Sequence, residues 1–189
     1  QDSVYFSETQ KKRLPYDLEA AKKELAEAGY NGEPITIIAN KRGNVPSFPA
    51  AVMAQAMLQQ IGLNVQIEVI DYATQVDRRR SGNYQIISQS VSPRLDPALM
   101  YSFYVGDKDK NASLMWDDPK ARDLMKAAYA EIDPKKRQAI FDQFHELMLQ
   151  EMPGIFLYDM VDVWGATKKL KGQPVWQSNT RLWEVSVDD

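Results

Sequence analysis

The chain carries one histidine, His145, and no cysteine in 189 residues. Without thiols there is no disulfide, no thiolate metal site and no cysteine nucleophile. His145 lies in the run DQFHELML beside Phe144 and Leu147. A general base needs an oriented partner and a nucleophile within reach. The neighbouring Glu146 points from a different helix face, so His145 reads as a surface or boundary residue. No second histidine completes a zinc site. Ser88, Ser90 and Ser92 alternate, but none stands in a G-x-S-x-G turn. No glycine-rich phosphate or dinucleotide motif is present. Asp117-Asp118 opens a helix, where capping explains the acids better than acid–base work. The sequence assigns no catalytic residue, no metal ligand and no cofactor.

Binding chemistry has more support. A solute pocket needs apolar or aromatic walls and a few placed polar groups. The stretch SVSPRLDPALM at 90–100 holds two prolines, a cation and an anion without periodicity. It reads as a loop following a strand, a frequent ligand position in α/β folds. Ser90, Ser92, Arg94 and Asp96 are its candidate ligand residues, with Arg94–Asp96 pairing across a turn as the duller alternative. Asn40 and Arg42 follow another strand in the same way, alongside Lys41 and Asn44. Trp116 and Tyr158 are aromatic candidates at segment boundaries. Their alternatives are a core or staple position for Trp116 and sheet packing for Tyr158.

The elements that would place these residues are legible. Residues 1–15 form an irregular lead-in. Asp17 suits an N-cap, Leu18, Ala21, Leu25 and Ala28 share a helix face, and Gly29 suits the left-handed residue after the helix. Ile35, Ile37 and Ile38 predict a buried strand. Gly43 to Pro49 reads as a loop. A helix from Ala50 to Ile61 carries an apolar stripe of Met53, Met57, Leu58 and Ile61. Gly62 closes it, and Val65, Ile67 and Val69 alternate in the next strand. A helix feeding a strand through so short a turn is an α/β connection. A polar helix over 72–81 ends in Arg78-Arg79-Arg80, cations suited to a helix C-terminus. A strand over Tyr84–Ser88 precedes the candidate loop. Asp96-Pro97 caps a short helix over Ala98–Tyr104. Asp118-Pro119 and Asp133-Pro134 start helices reaching Ile132 and Glu151, since proline fits the first turn. Their apolar faces are Leu124, Ala127, Ala128 and Ile132, then Ile140, Phe144, Leu147 and Met148. Ile155–Tyr158 and Val161–Ala166 read as two strands or one bent strand.

The whole composition bounds the partners. Hydrophobic content of 44% and charged content of 26% belong to a folded domain rather than a disordered tail. A formal charge of −3, from 26 acids and 23 bases, disfavours a nucleic-acid partner. No run reaches the ~20 apolar residues of a membrane span. The chain opens on Gln1 with no signal sequence, which suggests a processed or excised piece.

The order of YDLEAAKKELAEAGY (16–30), ITIIAN (35–40), QAMLQQIGLNVQIEVID (55–71), WDDPKARDLMKAA (116–128), DPKKR (133–137) and EMPGIFLYD (151–159) resembles the C-terminal lobe of family 5 extracellular solute-binding proteins. The resemblance runs from about Tyr16 to about Glu184. It implies an α/β, periplasmic-binding-protein-like class II lobe, a mixed sheet flanked by helices. The lobe would cover 16–170, and 171–189 would return to a first lobe outside the chain. The implied function is capture of a peptide or a peptide-like, opine-like solute for an ABC importer. Its partners would be that solute and, through the full-length protein, the permease subunits. Its place would be the periplasm, or the outside of a Gram-positive cell on a membrane anchor. A non-transport receptor lobe presenting solute to a membrane sensor is the alternative, with an enzyme a distant third. Many peptide-binding members hold the peptide amino group with an aspartate a few residues before the proline matching Pro97. Pro93 or Ser92 falls there in this sequence, which puts amine clamping in doubt, while Arg94 would suit an anionic group.

Overall fold

In the computed structural model, residues 4–92, 94, 96–160, 163, 165–172 and 185–188 are described. The chain divides into two compact units, 1–154 and 155–189. Pro93, Trp176, Trp183 and much of the expected 161–166 strand lie outside the described residues.

Aspartate caps organise the first unit. Helix α1 (Leu18–Glu27) starts where the Asp17 side chain accepts from the Glu19 and Ala20 amides, and Gly29 follows it at φ +72°. A left-handed residue there suits glycine, which carries no Cβ to clash. Strand β1 (Ile35–Ala39) comes next, with Ile37, Ile38 and Ala39 buried. Helix α2 covers Ser47–Gln59, so it begins before the expected Ala50. Pro49 is absorbed in its first turn, where a missing amide hydrogen costs no intrahelical bond.

The expected stripe on α2 is corrected. Met53 and Met57 are exposed, while Ser47 and Ala51 are buried and Phe48 and Leu58 pack towards the sheet. The helix is apolar on most sides, so hydrophobic type alone leaves its inward face undetermined. Ala51 meets the sheet because a small residue lets the two layers approach closely.

Strand β2 (Val65–Val69), helix α3 (Tyr72–Ser81) and strand β3 (Ile86–Ile87) follow. Their sheet has the order β2-β1-β3, and both pairings are parallel: Ile37 stands opposite Ile67 in β2 and Ile86 in β3. β3 is shorter than the expected 84–88. All three strands run the same way, so residues 40–42, 70–72 and 88–90 emerge together at one edge. Gly82 closes α3 at φ +70°. The arginine run is less uniformly solvated than its charge suggests: Arg78 pairs with Glu68 at 2.5 Å and Arg79 lies over the Phe103 ring.

A helical half completes the unit. Helix α4 (Pro97–Tyr101) is shorter than expected, α5 covers Pro119–Ala130 and α6 covers Pro134–Glu151. Asp96, Asp118 and Asp133 cap them, each followed by proline. Phe141 and Phe144 are fully buried between these elements, with Val105, Trp116, Met125 and Leu147 around them. Tyr101 lies 4.0 Å from Phe144 ring to ring, and burial pushes its hydroxyl up to about 12. Ile132 does not join the apolar face: α5 stops at Ala130, and Ile132 is 92% exposed.

The lead-in belongs to this half. Its 3-10 turn (Thr9–Lys11) lies on α6. Ser7 donates to Asp142 at 2.5 Å, Lys12 pairs with Glu146, and Tyr5 stacks edge-on against Phe141. His145 is therefore buried rather than at the surface, with Nε2 at 3.3 Å from the Lys12 carbonyl.

The second unit holds a two-stranded antiparallel pair, β4 (Leu170–Lys171) and β5 (Ser186–Val187). The expected strand at 155–158 is absent, and Ile155, Phe156, Leu157 and Tyr158 are exposed. A strand requires a neighbouring edge, and no described residue forms a ladder with this segment.

Candidate functional site

The C-terminal edge of the parallel sheet gathers most of the residues whose types suggest binding. Behind it lies a closed polar network. The Asn40 amide donates to Ser47 Oγ at 3.1 Å, and Ser47 Oγ donates to the Ser88 carbonyl at 2.5 Å. Ser88 Oγ returns a bond to the Ser47 carbonyl at 2.7 Å. Gln75 Nε2 donates to the same Ser88 carbonyl at 3.0 Å, while Gln75 Oε1 accepts from Asn40 Nδ2 at 2.5 Å. Asn40, Ser47 and Gln75 are each at most 3% exposed. Buried polar groups persist when paired in this way. The network ties the ends of β1 and β3 to α2 and α3.

In front of it the residues are exposed. Arg42 lies 4.2 Å above the Tyr72 ring and Lys41 4.5 Å above Phe48. Asp71 caps α3 through the Thr74 amide and hydroxyl, which hold its carboxyl below the usual range. Ser90, Ser92 and Arg94 are exposed on the loop after β3. Arg94 stands 5.4 Å over Phe103, and Arg79 lies 6.0 Å from the same ring. Burial raises the Tyr84 and Tyr104 hydroxyls, with nearby Arg79 opposing the shift.

Asp96 does not pair with Arg94. Arg137 grips its carboxylate with two bonds, Nη1 to Oδ2 at 2.7 Å and Nη2 to Oδ1 at 2.9 Å. Oδ1 also accepts from the Ala98 amide at 2.8 Å. The Arg137 bonds hold the Asp96 carboxyl below its ordinary value, more than burial raises it. Arg94 is already beyond the cap, with its guanidinium spread on Phe103, so the nearer cation is the wrong partner.

The remaining candidates separate. Asn40 is committed to the buried network, and its Oδ1 accepts from the Arg42 amide. Trp116 is a core residue, 5.3 Å from Phe144 in an edge contact, with Nε1 unpartnered among the described residues. Tyr158 is exposed in the second unit. Sequence reasoning passed over Ser47, Gln75, Tyr72, Phe103 and Arg137. Only Ser88 carried a hint, as the first serine of an alternating run. A shallow groove lined by Lys22, Leu25, Tyr30, Asn31, Ile61 and Gly62 lies at the opposite edge, before β1 and β2 begin. It holds none of the candidate residues.

Among the described residues no helix is long and apolar enough to cross a membrane. No group of three or more acids or histidines that could hold a metal occurs among them.

The comparisons with known proteins converge on one family. The oligopeptide-binding protein OppA of Bacillus subtilis is 21% identical over 169 residues, covering 89% of this chain and 31% of OppA. The periplasmic binding protein DppA of Helicobacter pylori, solved with the peptide STSA, is 27% identical with a TM-score of 0.65. It matches 75% of this chain and 28% of its own. The binding protein AgaA of A. tumefaciens R10, solved with agropinic acid, is 25% identical with a TM-score of 0.70. It matches 81% of this chain and 32% of its own. The chain thus spans about a third of the length of OppA, DppA and AgaA, each named as a binding protein. Residues 1–113 match the profile described as bacterial extracellular solute-binding proteins, family 5 Middle, and the chain belongs to that family.

Proposed function

We propose that this chain is one lobe of a binding protein that captures a peptide or peptide-like solute for an ABC importer. The observation that carries the reading is the arrangement at the sheet edge. A buried, fully bonded scaffold holds exposed Arg42, Ser90, Ser92 and Arg94 where parallel α/β sheets present ligand sites. Family membership and the peptide-binding relatives support the solute class. The lobe works in the periplasm or outside the cell, and permease subunits meet the full-length protein. That the relatives are named as binding proteins supports solute being held without being transformed.

A second solute class has a specific observation behind it. AgaA, of the same fold, binds agropinic acid. Exposed Arg94 would suit an anionic group, and the sequence has no aspartate at the amine-clamping position. Calorimetric titration of Ser-Thr-Ser-Ala and of agropinic acid into the full-length parent distinguishes the two. Saturable binding of the peptide supports the first class, and saturable binding of the acid alone supports the second. If neither binds and native mass spectrometry finds no co-purified solute, solute capture is rejected.

A further inference from the structure

The loop between β3 and α4 is tied at both ends to residues distant in sequence. At its start, Ser88 uses every polar atom: its amide donates to the Ile38 carbonyl, and its carbonyl and hydroxyl join the Ser47–Gln75 network. At its end, Asp96 is gripped by Arg137 through the two parallel bonds. Between these points Ser90, Ser92 and Arg94 are exposed.

Arg137 is itself fixed on every side. Nε donates to the Ala128 carbonyl at 2.8 Å, where α5 is ending, and Nη1 also reaches the Tyr5 hydroxyl at 3.1 Å. The guanidinium lies 5.3 Å from both the Tyr5 and Phe141 ring centres. Its side chain is only 13% exposed. One planar group thus joins the lead-in, α5, α6 and the cap of α4. A lysine could keep the charge but not the fork.

We propose that Arg137 is a positioning residue for solute binding: through Asp96 it fixes the far end of the 88–96 loop and so aims Arg94 and the loop serines. It does not touch solute. This rests on the reading of that loop as the solute-facing surface. A preorganised loop loses less freedom on binding than one that must be ordered by its ligand.

The test uses the full-length parent with Arg137→Lys and Asp96→Asn, and Arg122→Gln as a control that breaks the Arg122–Asp117 pair elsewhere. Asparagine can still cap α4, so Asp96→Asn keeps the measurement interpretable if Arg137→Lys folds poorly. Hydrogen exchange is read at Ser90, Val91, Ser92 and Arg94 against Ile37 and Ile38 in β1. Affinity is read with Ser-Thr-Ser-Ala and agropinic acid. In both loop variants, exchange at the loop amides should rise about tenfold or more, with Ile37 and Ile38 unchanged. Affinity for whichever probe binds should fall about tenfold, and the control should do neither. Unchanged loop exchange in a folded variant overturns the proposal. So does raised exchange with unchanged affinity, because the loop would then move without consequence for solute. If no probe binds the unaltered parent, native mass spectrometry finds no co-purified solute and loop exchange still rises, the solute reading fails and Arg137 stands as the loop's anchor.

Discussion

Ser47 and Ser88 bond each other twice, in opposite directions: Ser47 Oγ to the Ser88 carbonyl at 2.5 Å, and Ser88 Oγ to the Ser47 carbonyl at 2.7 Å. Each hydroxyl thereby satisfies the other residue's backbone. The pair joins the first turn of α2 to the end of β3, across 41 residues of sequence. Ser47→Ala would strand the Asn40 amide and remove one of the donors to the Ser88 carbonyl. Losing a partner from a buried polar group costs about 1–3 kcal/mol. The expected result is a lower urea midpoint with an unchanged slope. A midpoint within error of the unaltered chain would mean that water replaces the serine without loss.

The Asp96–Arg137 pair should leave a mark on acid stability. Arg137 depresses the folded Asp96 value, while the unfolded carboxyl keeps its ordinary value of about 3.9. The contribution is therefore present above about pH 4 and is lost as pH falls through the lowered folded value. Arg137→Gln should cost about 1–3 kcal/mol at pH 7, towards the lower end because a third of the Asp96 side chain meets solvent. Urea titrations at pH 7 and pH 3 should show the gap between the two proteins narrowing at the lower pH. A constant gap would assign the loss to packing on Tyr5 and Phe141.

These two links mark the limit of what one sequence can reveal. Asp17, Asp96, Asp118 and Asp133 are legible as caps because the acid, the proline or helix-starting pattern behind it, and the amides it satisfies are all local. The inward face of α2 was not legible, since Val52, Met53 and Met57 are as apolar as the buried Ala51. In the sequence Asn40 is a candidate ligand residue following a strand. Its burial depends on Ser47 and Gln75, which only folding brings beside it. Trp116 stood at a segment boundary, a position that suits a pocket wall and a core residue equally. The 155–158 run has strand-like residues, but its backbone is not in a strand.

His145 supplies a separate test of binding without catalysis. Its Nε2, when protonated, donates to the Lys12 carbonyl between the lead-in and α6. Glutamine can offer a donor in a similar place, so His145→Gln should shift stability by about 1 kcal/mol. Affinity for Ser-Thr-Ser-Ala or agropinic acid in the full-length parent should not change. Loss of a measured turnover on this substitution would contradict the binding reading.

On the proposed reading, exposed Arg94 meets an anionic group on the solute. Its only described contact is with the Phe103 ring, worth about 0.5–1 kcal/mol at an exposed site. Stability should therefore barely change in Arg94→Ala. Affinity should fall by tens-fold, because one half of a desolvated charge pair is worth about 2–5 kcal/mol. Wild-type affinity by calorimetry would make Arg94 a surface residue resting on an aromatic ring.

The last prediction concerns how much of the binding this chain can perform alone. Its candidate contacts sit at one sheet edge, where Arg42, Ser90, Ser92 and Arg94 are open to solvent rather than enclosed. A small solute held tightly has most of its surface buried, and one exposed edge cannot supply that. The chain also spans only about a third of OppA, so a second wall can come from the rest of a longer protein, with closure around the ligand. Folding should not need that wall, because the sheet with α2 and the cluster around Phe141 and Phe144 are buried within residues 1–154. The chain should thus unfold cooperatively by itself yet bind Ser-Thr-Ser-Ala and agropinic acid at least about a hundredfold more weakly than its full-length parent, a difference of about 2.7 kcal/mol. Parallel titrations of the same two probes into both proteins decide it. Equal affinity would mean that this edge forms a complete binding site, and the two-walled reading would fall.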